Sequence, residues 1–467
     1  MKRLFGTDGI RGTTEVADDG DRDLLLTPEL ALRVGHAAGW VARCELLKQS
    51  VQGYVVMGRD PRSSGAVLES AVTAGLLAQG IGVIRVGVIP TPGVALLTRQ
   101  LHACLGVVIS ASHNPVTDNG IKFFAASGYK LDDSVEEQIE ALVSDLGREF
   151  PPVEACQLGS SESGDGLRQS YIAYLLQSWR AVQGDLSGYR VMLECANGAA
   201  SVVAPEVFRR LGAHVEVISG APDGLNINES YEYVHPARFA QRVIDAGADL
   251  GAAFDGDADR VILVDERGGV VDGDTMMGVL ARYMQSMNRL PGDFVVTTNM
   301  SNFGLHDSLR QVGVSVVETS VGDKYVMRRM LEDGGTLGGE RSGHVLILDG
   351  DQTTGDGIYT ALAIASAMVD AGTTLSELAS VVPRYPQFID SISVPPGKPP
   401  LDSVPGVQAV LDVLREMLGE GADVHARYSG TEDKLRLSVR ASTSGDEAAL
   451  AAVARQALLD IGRILAA

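Results

Sequence analysis

The chain has 467 residues, and at about 100 to 200 residues per domain this implies about three or four domains. A hydrophobic share of 45% against 21% charged residues excludes disorder along most of the chain. The net charge of −21, from 39 basic and 60 acidic residues, argues against a nucleic acid or an anionic membrane as partner.

A phosphorylated small molecule would therefore need a locally basic pocket inside an acidic shell. Cys44, Cys104, Cys156 and Cys195 lie far apart and form no CxxC pair, which indicates neither a zinc site nor a disulfide framework. The first residues lack the apolar stretch of a signal peptide, and no run reaches the roughly 18 apolar residues of a membrane span. The class expected is a soluble cytoplasmic multidomain protein.

In chain order, one pattern recurs: an apolar run, a small or polar loop, then a helical stretch. Tyr54–Gly58 runs into Arg59-Asp-Pro-Arg-Ser-Ser64, and Val83–Val86 follows as a further strand. Leu105–Ile109 ends at Ser110-Ala-Ser-His-Asn-Pro115. A strand that stops at small residues and an Asn-Pro turn presents Ser112 at the edge of a sheet, where a hydroxyl can carry a phosphoryl group and His113 can donate to its oxygens. Pro151–Gly166, rich in Ser, Gly and Pro, reads as a linker. Arg190–Glu194 runs into Cys195-Ala-Asn-Gly198, and His214–Ile218 is again β-like. The runs that open at Tyr54 and Arg190, like the one that opens at Phe294 below, are continuously apolar rather than alternating, as in strands covered on both faces.

Phe254-Asp-Gly-Asp-Ala-Asp-Arg260 lies before the strand Val261–Val264. Asp255, Asp257 and Asp259, each two residues apart in an extended loop, can converge on one hard cation, and oxygen-only ligation suits Mg²⁺. An EF-hand starts with the same DxDxD, but it needs Gly where Arg260 stands. Phe294–Thr298 runs into Asn299-Met-Ser-Asn302, and Val314–Glu318 is a further strand. In Gly338-Gly-Glu-Arg-Ser-Gly-His344 the glycines allow close backbone approach, and Glu340 and Ser342 can bond vicinal sugar hydroxyls. The prolines between Val394 and Pro400 mark the clearest break. Beyond them Arg427-Tyr-Ser-Gly-Thr-Glu432, with Arg436, supplies an arginine, hydroxyls and a glycine nest that can cradle a phosphate. An amphipathic helix over about 446–465 ends the chain.

The expected architecture is α/β: three related α/β domains with mixed sheets plus a C-terminal α+β domain, arranged around a central cleft where the four loops meet. The boundaries fall at 1–165, 166–271, 272–388 and 389–467.

The four loops, in this order and over essentially the whole chain, resemble the α-D-phosphohexomutases. Within that family, Leu4–Gly12, Pro222–Asn228, Met300–Asn302, Val321–Val326 and Thr353–Gly357 resemble the branch that acts on glucosamine phosphate. The resemblance implies an isomerase of amino-sugar metabolism that interconverts glucosamine 6-phosphate and glucosamine 1-phosphate. Glucose or mannose phosphates are the alternative substrates. It implies Ser112 as phosphoserine and Asp255, Asp257, Asp259 and the phosphoserine oxygen as Mg²⁺ ligands. Arg11 and Lys122 would flank the transferring group, with Arg260 close by, and His113 and His344 would join the catalytic set. Glu340, Arg341 and Ser342 would read the sugar, while Arg427, Ser429, Gly430, Thr431 and Arg436 would hold the other phosphate. Glucosamine 1,6-bisphosphate, or glucose 1,6-bisphosphate, would serve as intermediate and activator. The family also suggests a homodimer. Two residues depart from the pattern: Arg341 stands where Gln is usual, adding charge beside the sugar, and Asp433 stands where Pro is frequent.

Overall fold

The computed structural model describes residues 4–6, 8–14, 24–49, 52–151, 153–230, 232–395, 399–419, 421–428, 434–442 and 445–466. The chain forms two compact units, one of residues 1–298 with 317–379 and one of residues 299–316 with 380–467.

The first unit begins with a seven-stranded sheet in the order Phe5–Gly6, Gly9–Thr13, Asp118–Ala125, Ala103–Ile109, Gln52–Arg59, Gly82–Val88, Ser161–Ser163. It is mixed: Ala103–Ile109 runs parallel to Gln52–Arg59 and antiparallel to Asp118–Ala125. Every residue of Ala103–Ile109 is buried, which explains why the run reads as continuously apolar. Helix Pro28–Cys44 starts where the Thr27 side chain accepts from the Leu30 N–H at 3.2 Å and Pro28 fills the first turn. It packs Val34, Ala38 and Val41 into a core with Val55, Val72 and Leu105. The stretch expected as a linker is not featureless. Its Ser161–Ser163 segment pairs parallel with Gly82–Val88, and its fully exposed side chains suit an edge strand while hiding it from hydropathy.

A five-stranded sheet follows, in the order Val270–Val271, Val261–Asp265, Leu250–Phe254, Arg190–Glu194, His214–Ile218. Leu250–Phe254 and Val261–Asp265 form an antiparallel pair, buried throughout, whose connection is the Asp255–Arg260 loop. A four-stranded sheet has the order Ser315–Thr319, Phe294–Thr298, Leu337–Gly339, Val345–Ile347. Helix Gly273–Ser286 is capped by Asp272, which accepts from the Thr275 N–H at 3.1 Å.

The second unit holds a three-stranded antiparallel sheet, Gln387–Ser393, Lys434–Arg440, Asp423–Tyr428, with helices Pro405–Leu418 and Glu447–Ala466. Val407, Leu411, Leu435, Leu437, Leu458 and Ile461 form its core. The α/β layers, the mixed sheets and the C-terminal α+β segment are as the sequence predicts. No helix among the described residues is long and apolar enough to cross a membrane.

Candidate active site

Strand Ala103–Ile109 ends in the Ser110–Pro115 loop, where Ser112 takes a left-handed backbone with φ of 54°. Such a backbone is costly for a residue with a Cβ, so the surroundings must impose it. Arg62, with no exposed surface, does this from the start of a neighbouring helix. It is paired to Asp60 at 3.0 Å and donates to the carbonyls of Ser112 at 3.0 Å and Asn114 at 2.8 Å. Asn228 Nδ2 donates to the same two carbonyls at 2.8 and 2.9 Å. Ser110 completes the frame, accepting from the Ser112 N–H at 2.9 Å and donating to Asp60 at 2.6 Å.

The acidic loop meets this serine. Ser112 Oγ donates to Asp255 Oδ2 at 2.5 Å. Oxygens of Asp255, Asp257 and Asp259 all lie within 4.8 Å of one another, and all three residues are buried. Gly256 makes the approach possible, since a Cβ there would stand 2.4 Å from the Ser112 carbonyl oxygen. Burial, reinforced by Asp259 and Asp257, pushes the Asp255 carboxyl well above its ordinary range. Burial acts on Asp259 in the same direction, but Lys122 and His344 outweigh it and hold that carboxyl well below its ordinary range. Asp257 Oδ1 and Asp259 Oδ1 have no hydrogen-bond partner. Buried carboxylate oxygens without partners and a carboxyl driven toward protonation describe a place whose negative charge is incompletely balanced. The oxygen-only donor set suits a hard divalent cation, so the residues present fit a metal site.

Arg11 and Lys122 sit on the adjacent antiparallel strands Gly9–Thr13 and Asp118–Ala125. Lys122 Nζ reaches Asp257 at 2.7 Å and Asp259 at 3.4 Å. Burial alone would discharge it, but Asp257, Asp8 and Asp259 keep its ammonium well above the ordinary range. Asp8 collects the cations: Arg11 at 2.7 Å, Lys122 at 2.9 Å and Lys130 at 2.6 Å. Thr91 Oγ1 donates to Asp257 at 2.7 Å. The Arg260 N–H donates to Asp255 at 3.2 Å, and its guanidinium lies 3.7 Å from Asp259.

The two histidines differ. His113 Nδ1 is 3.3 Å from Ser112 Oγ. Burial, with Arg260 and Arg11 beside it, lowers this imidazole to about 4, so it is neutral near pH 7. His344 is buried, with Nε2 3.2 Å from Asp323 and Nδ1 3.7 Å from Asp259. Burial would lower it as well, but the two carboxylates raise it to about 10. Neither ring nitrogen makes a well-aligned hydrogen bond, so the attraction is mainly charge on charge.

In the Gly338–His344 loop, Glu340 accepts from the Gly322 N–H at 3.0 Å. The Ser342 carbonyl accepts from the Tyr233 hydroxyl. Arg341 stands next to a carboxylate: its Nε lies 3.2 Å from Asp272, the helix cap. The expected charge is therefore neutralised where it stands. In the second unit, Arg427 and Arg436 face each other across an antiparallel strand pair. Ser429, Gly430, Thr431 and Asp433 lie outside the described residues.

The structure thus groups Ser112, His113, Arg11, Lys122, the three aspartates, Arg260 and His344. Sequence reasoning missed Asp8, Thr91, Lys130, Tyr233, Asn228 and Asp323. Asp8, Asn228 and Asp323 stand inside the short runs that carry the resemblance, but no spacing rule marks them.

Three family models describing domains I, II and III of phosphoglucomutase/phosphomannomutase, each α/β/α, match residues 2–148, 169–269 and 272–385. A phosphoglucosamine mutase of Moorella thermoacetica is 48% identical over 439 residues, covering 94% of this chain and 95% of that protein. One from Nocardia farcinica is 45% identical over 457 residues, covering 95% and 96%. Among solved structures, a phosphoglucomutase/phosphomannomutase family protein from Burkholderia thailandensis superposes with a TM-score of 0.76 at 23% identity, covering 98% and 97%. An N-acetylphosphoglucosamine mutase from Aspergillus fumigatus, solved with GlcNAc-6P and magnesium, gives 0.66 at 17% identity, covering 99% and 96%. At 43 to 48% identity over nearly the whole of each chain, the protein belongs to the phosphoglucosamine mutase family of the phosphohexomutases.

Proposed function

We propose that the chain interconverts glucosamine 6-phosphate and glucosamine 1-phosphate through a phosphorylated Ser112 and a glucosamine 1,6-bisphosphate intermediate. The observation that carries this is Ser112 Oγ held 2.5 Å from Asp255, within the aspartate triad and beside a buried lysine. Asp255, Asp257, Asp259 and the phosphoserine oxygen would hold Mg²⁺, whose chemistry there is to offset charge on the transferring phosphoryl oxygens.

The chain's own residues do the rest. In the first half-reaction the P–O bond to Ser112 Oγ breaks as one forms to the free sugar hydroxyl. Arg11 and Lys122 neutralise the equatorial oxygens, and little covalent chemistry is asked of the protein beyond in-line placement. His344 exchanges the proton with the sugar oxygen, as that oxygen gains or loses the phosphoryl group. The bisphosphate then presents its other end, and that phosphate returns to Ser112. Glu340 and Ser342 read the sugar, and Arg427 and Arg436, with Ser429, Gly430 and Thr431, take the phosphate that is not reacting.

Glucose and mannose phosphates are the competing substrates. The Arg341–Asp272 pair supports the amino sugar, because it removes the extra charge that set this loop apart from the family pattern. The test is a mutase assay on glucosamine, glucose and mannose phosphates with Mg²⁺ and a trace of the matching 1,6-bisphosphate. A kcat/KM preference for glucosamine phosphate is expected, and a preference for either hexose phosphate overturns the substrate assignment. Ser112→Ala abolishes turnover while leaving substrate binding measurable; turnover by that variant overturns the phosphoserine route.

A further inference from the structure

His344 belongs to a closed chain of alternating charges. Asp8 holds Lys130 at 2.6 Å, and Lys130 also contacts Asp323. Asp323 stands 3.2 Å from His344 Nε2, and His344 Nδ1 stands 3.7 Å from Asp259. Asp259 is 3.4 Å from Lys122, which returns to Asp8 at 2.9 Å. The members come from three of the sheet regions. Asp8, Lys122 and Lys130 lie on or beside the seven-stranded sheet, Asp259 in the loop of the second, and His344 between two strands of the third. Asp323 is the first residue of helix Asp323–Asp333. That position fixes its carboxylate on a rigid element and favours its negative charge.

Lys130 and Asp323 have no part in phosphoryl transfer as described. We infer that they form a positioning pair for His344. The Asp323 carboxylate stands at Nε2 and so keeps Nδ1 turned to the side of Asp259 and the reactive centre, as outer-shell carboxylates orient histidines elsewhere. Lys130 is what allows Asp323 to stand there, because Asp8 would otherwise repel it. The same lysine ties the aim of His344 to the carboxylate that carries Arg11 and Lys122. Neither residue touches the reacting atoms, so neither is catalytic. The inference rests on the acid/base role given to His344 above.

The test uses the full-length enzyme with Mg²⁺ and the four variants Asp323→Asn, Lys130→Met, Lys130→Arg and the double variant Asp323→Asn/Lys130→Met. Loss of an outer-shell partner of this kind costs about 10- to 100-fold, and the loss is expected in kcat with KM nearly unchanged. Lys130→Arg recovers most of the loss that Lys130→Met causes. The double variant is no worse than the worse single one, because the two act as one unit. A kcat within about twofold of wild type in both single variants overturns the inference, as does a rise in KM alone.

A second readout is independent of turnover. In ¹⁵N-histidine-labelled protein, the ring-nitrogen resonances of His344, assigned by their disappearance in His344→Gln, are expected to move in Asp323→Asn and in Lys130→Met. Resonances that stay in place in both variants overturn the inference. If the wild type fails to turn over glucosamine phosphate, the functional reading falls while these resonances still decide the positioning. If Asp323→Asn fails to fold, the two Lys130 variants decide.

Discussion

Arg62 is a charged residue with no exposed surface, and it spends its donors on Asp60 and on the carbonyls around Ser112. Breaking a buried pair by removing one partner costs about 3–5 kcal/mol. Arg62→Met is expected to lose that much in a urea titration and to lower mutase activity further, because the left-handed Ser112 loses its brace. His113 gives a pH test. Its folded value of about 4 lies below the ordinary 6.5, so the unfolded chain binds its proton first on acidification. The contribution of His113 is therefore fully present above pH 6.5 and is lost as the pH falls from there toward 4. Comparing denaturation midpoints at pH 7 and pH 5, His113→Gln should show the smaller fall.

At the scale of elements, the loop Asp255–Arg260 was legible because its carboxylates run straight into the unbroken apolar strand Val261–Val264. Gly256 within it was not, since its reason is the Ser112 carbonyl, 143 positions of sequence from Asp255. Gly256→Ala meets backbone rather than a yielding side chain, and overpacking of this kind costs about 1–3 kcal/mol. It is also expected to weaken Mg²⁺ binding by calorimetry, since the loop must back away from the serine. The strands over 190–194 and 294–298 were readable as apolar runs ahead of small or polar loops. Ser161–Ser163 was not, because a strand whose side chains all face solvent carries no hydropathy signal. Asp8, Lys130 and Asp323 escaped notice for a different reason. Each is an ordinary surface-type residue, and only the fold makes them neighbours. Likewise Arg341 reads as an added charge until the cap of a helix 69 positions earlier is seen beside it.

At the scale of the molecule, each compact unit has its own core. The second depends on residues such as Leu435, Leu437 and Leu458. Leu437→Ala should cost about 2–5 kcal/mol by leaving a cavity. Scanning calorimetry should show that loss in the transition of residues 299–316 and 380–467, with the transition of the first unit left in place. The overall acidity of the chain predicted a local basic pocket for any phosphorylated ligand, and Arg11, Lys122 and Lys130 form one around Asp8. Lys122 has a consequence of its own. Its ammonium spans Asp257 and Asp259, two of the three carboxylates that fit a hard cation, so the protein carries a tethered counter-ion there. Folding on the ribosome need not wait for a divalent ion, and a chelator should stop turnover without unfolding the chain. The placeholder is removed in Lys122→Met. In melts with chelator that variant should fall further below the wild type than it does with Mg²⁺ present, and an equal gap under both conditions would show that the lysine carries no such duty.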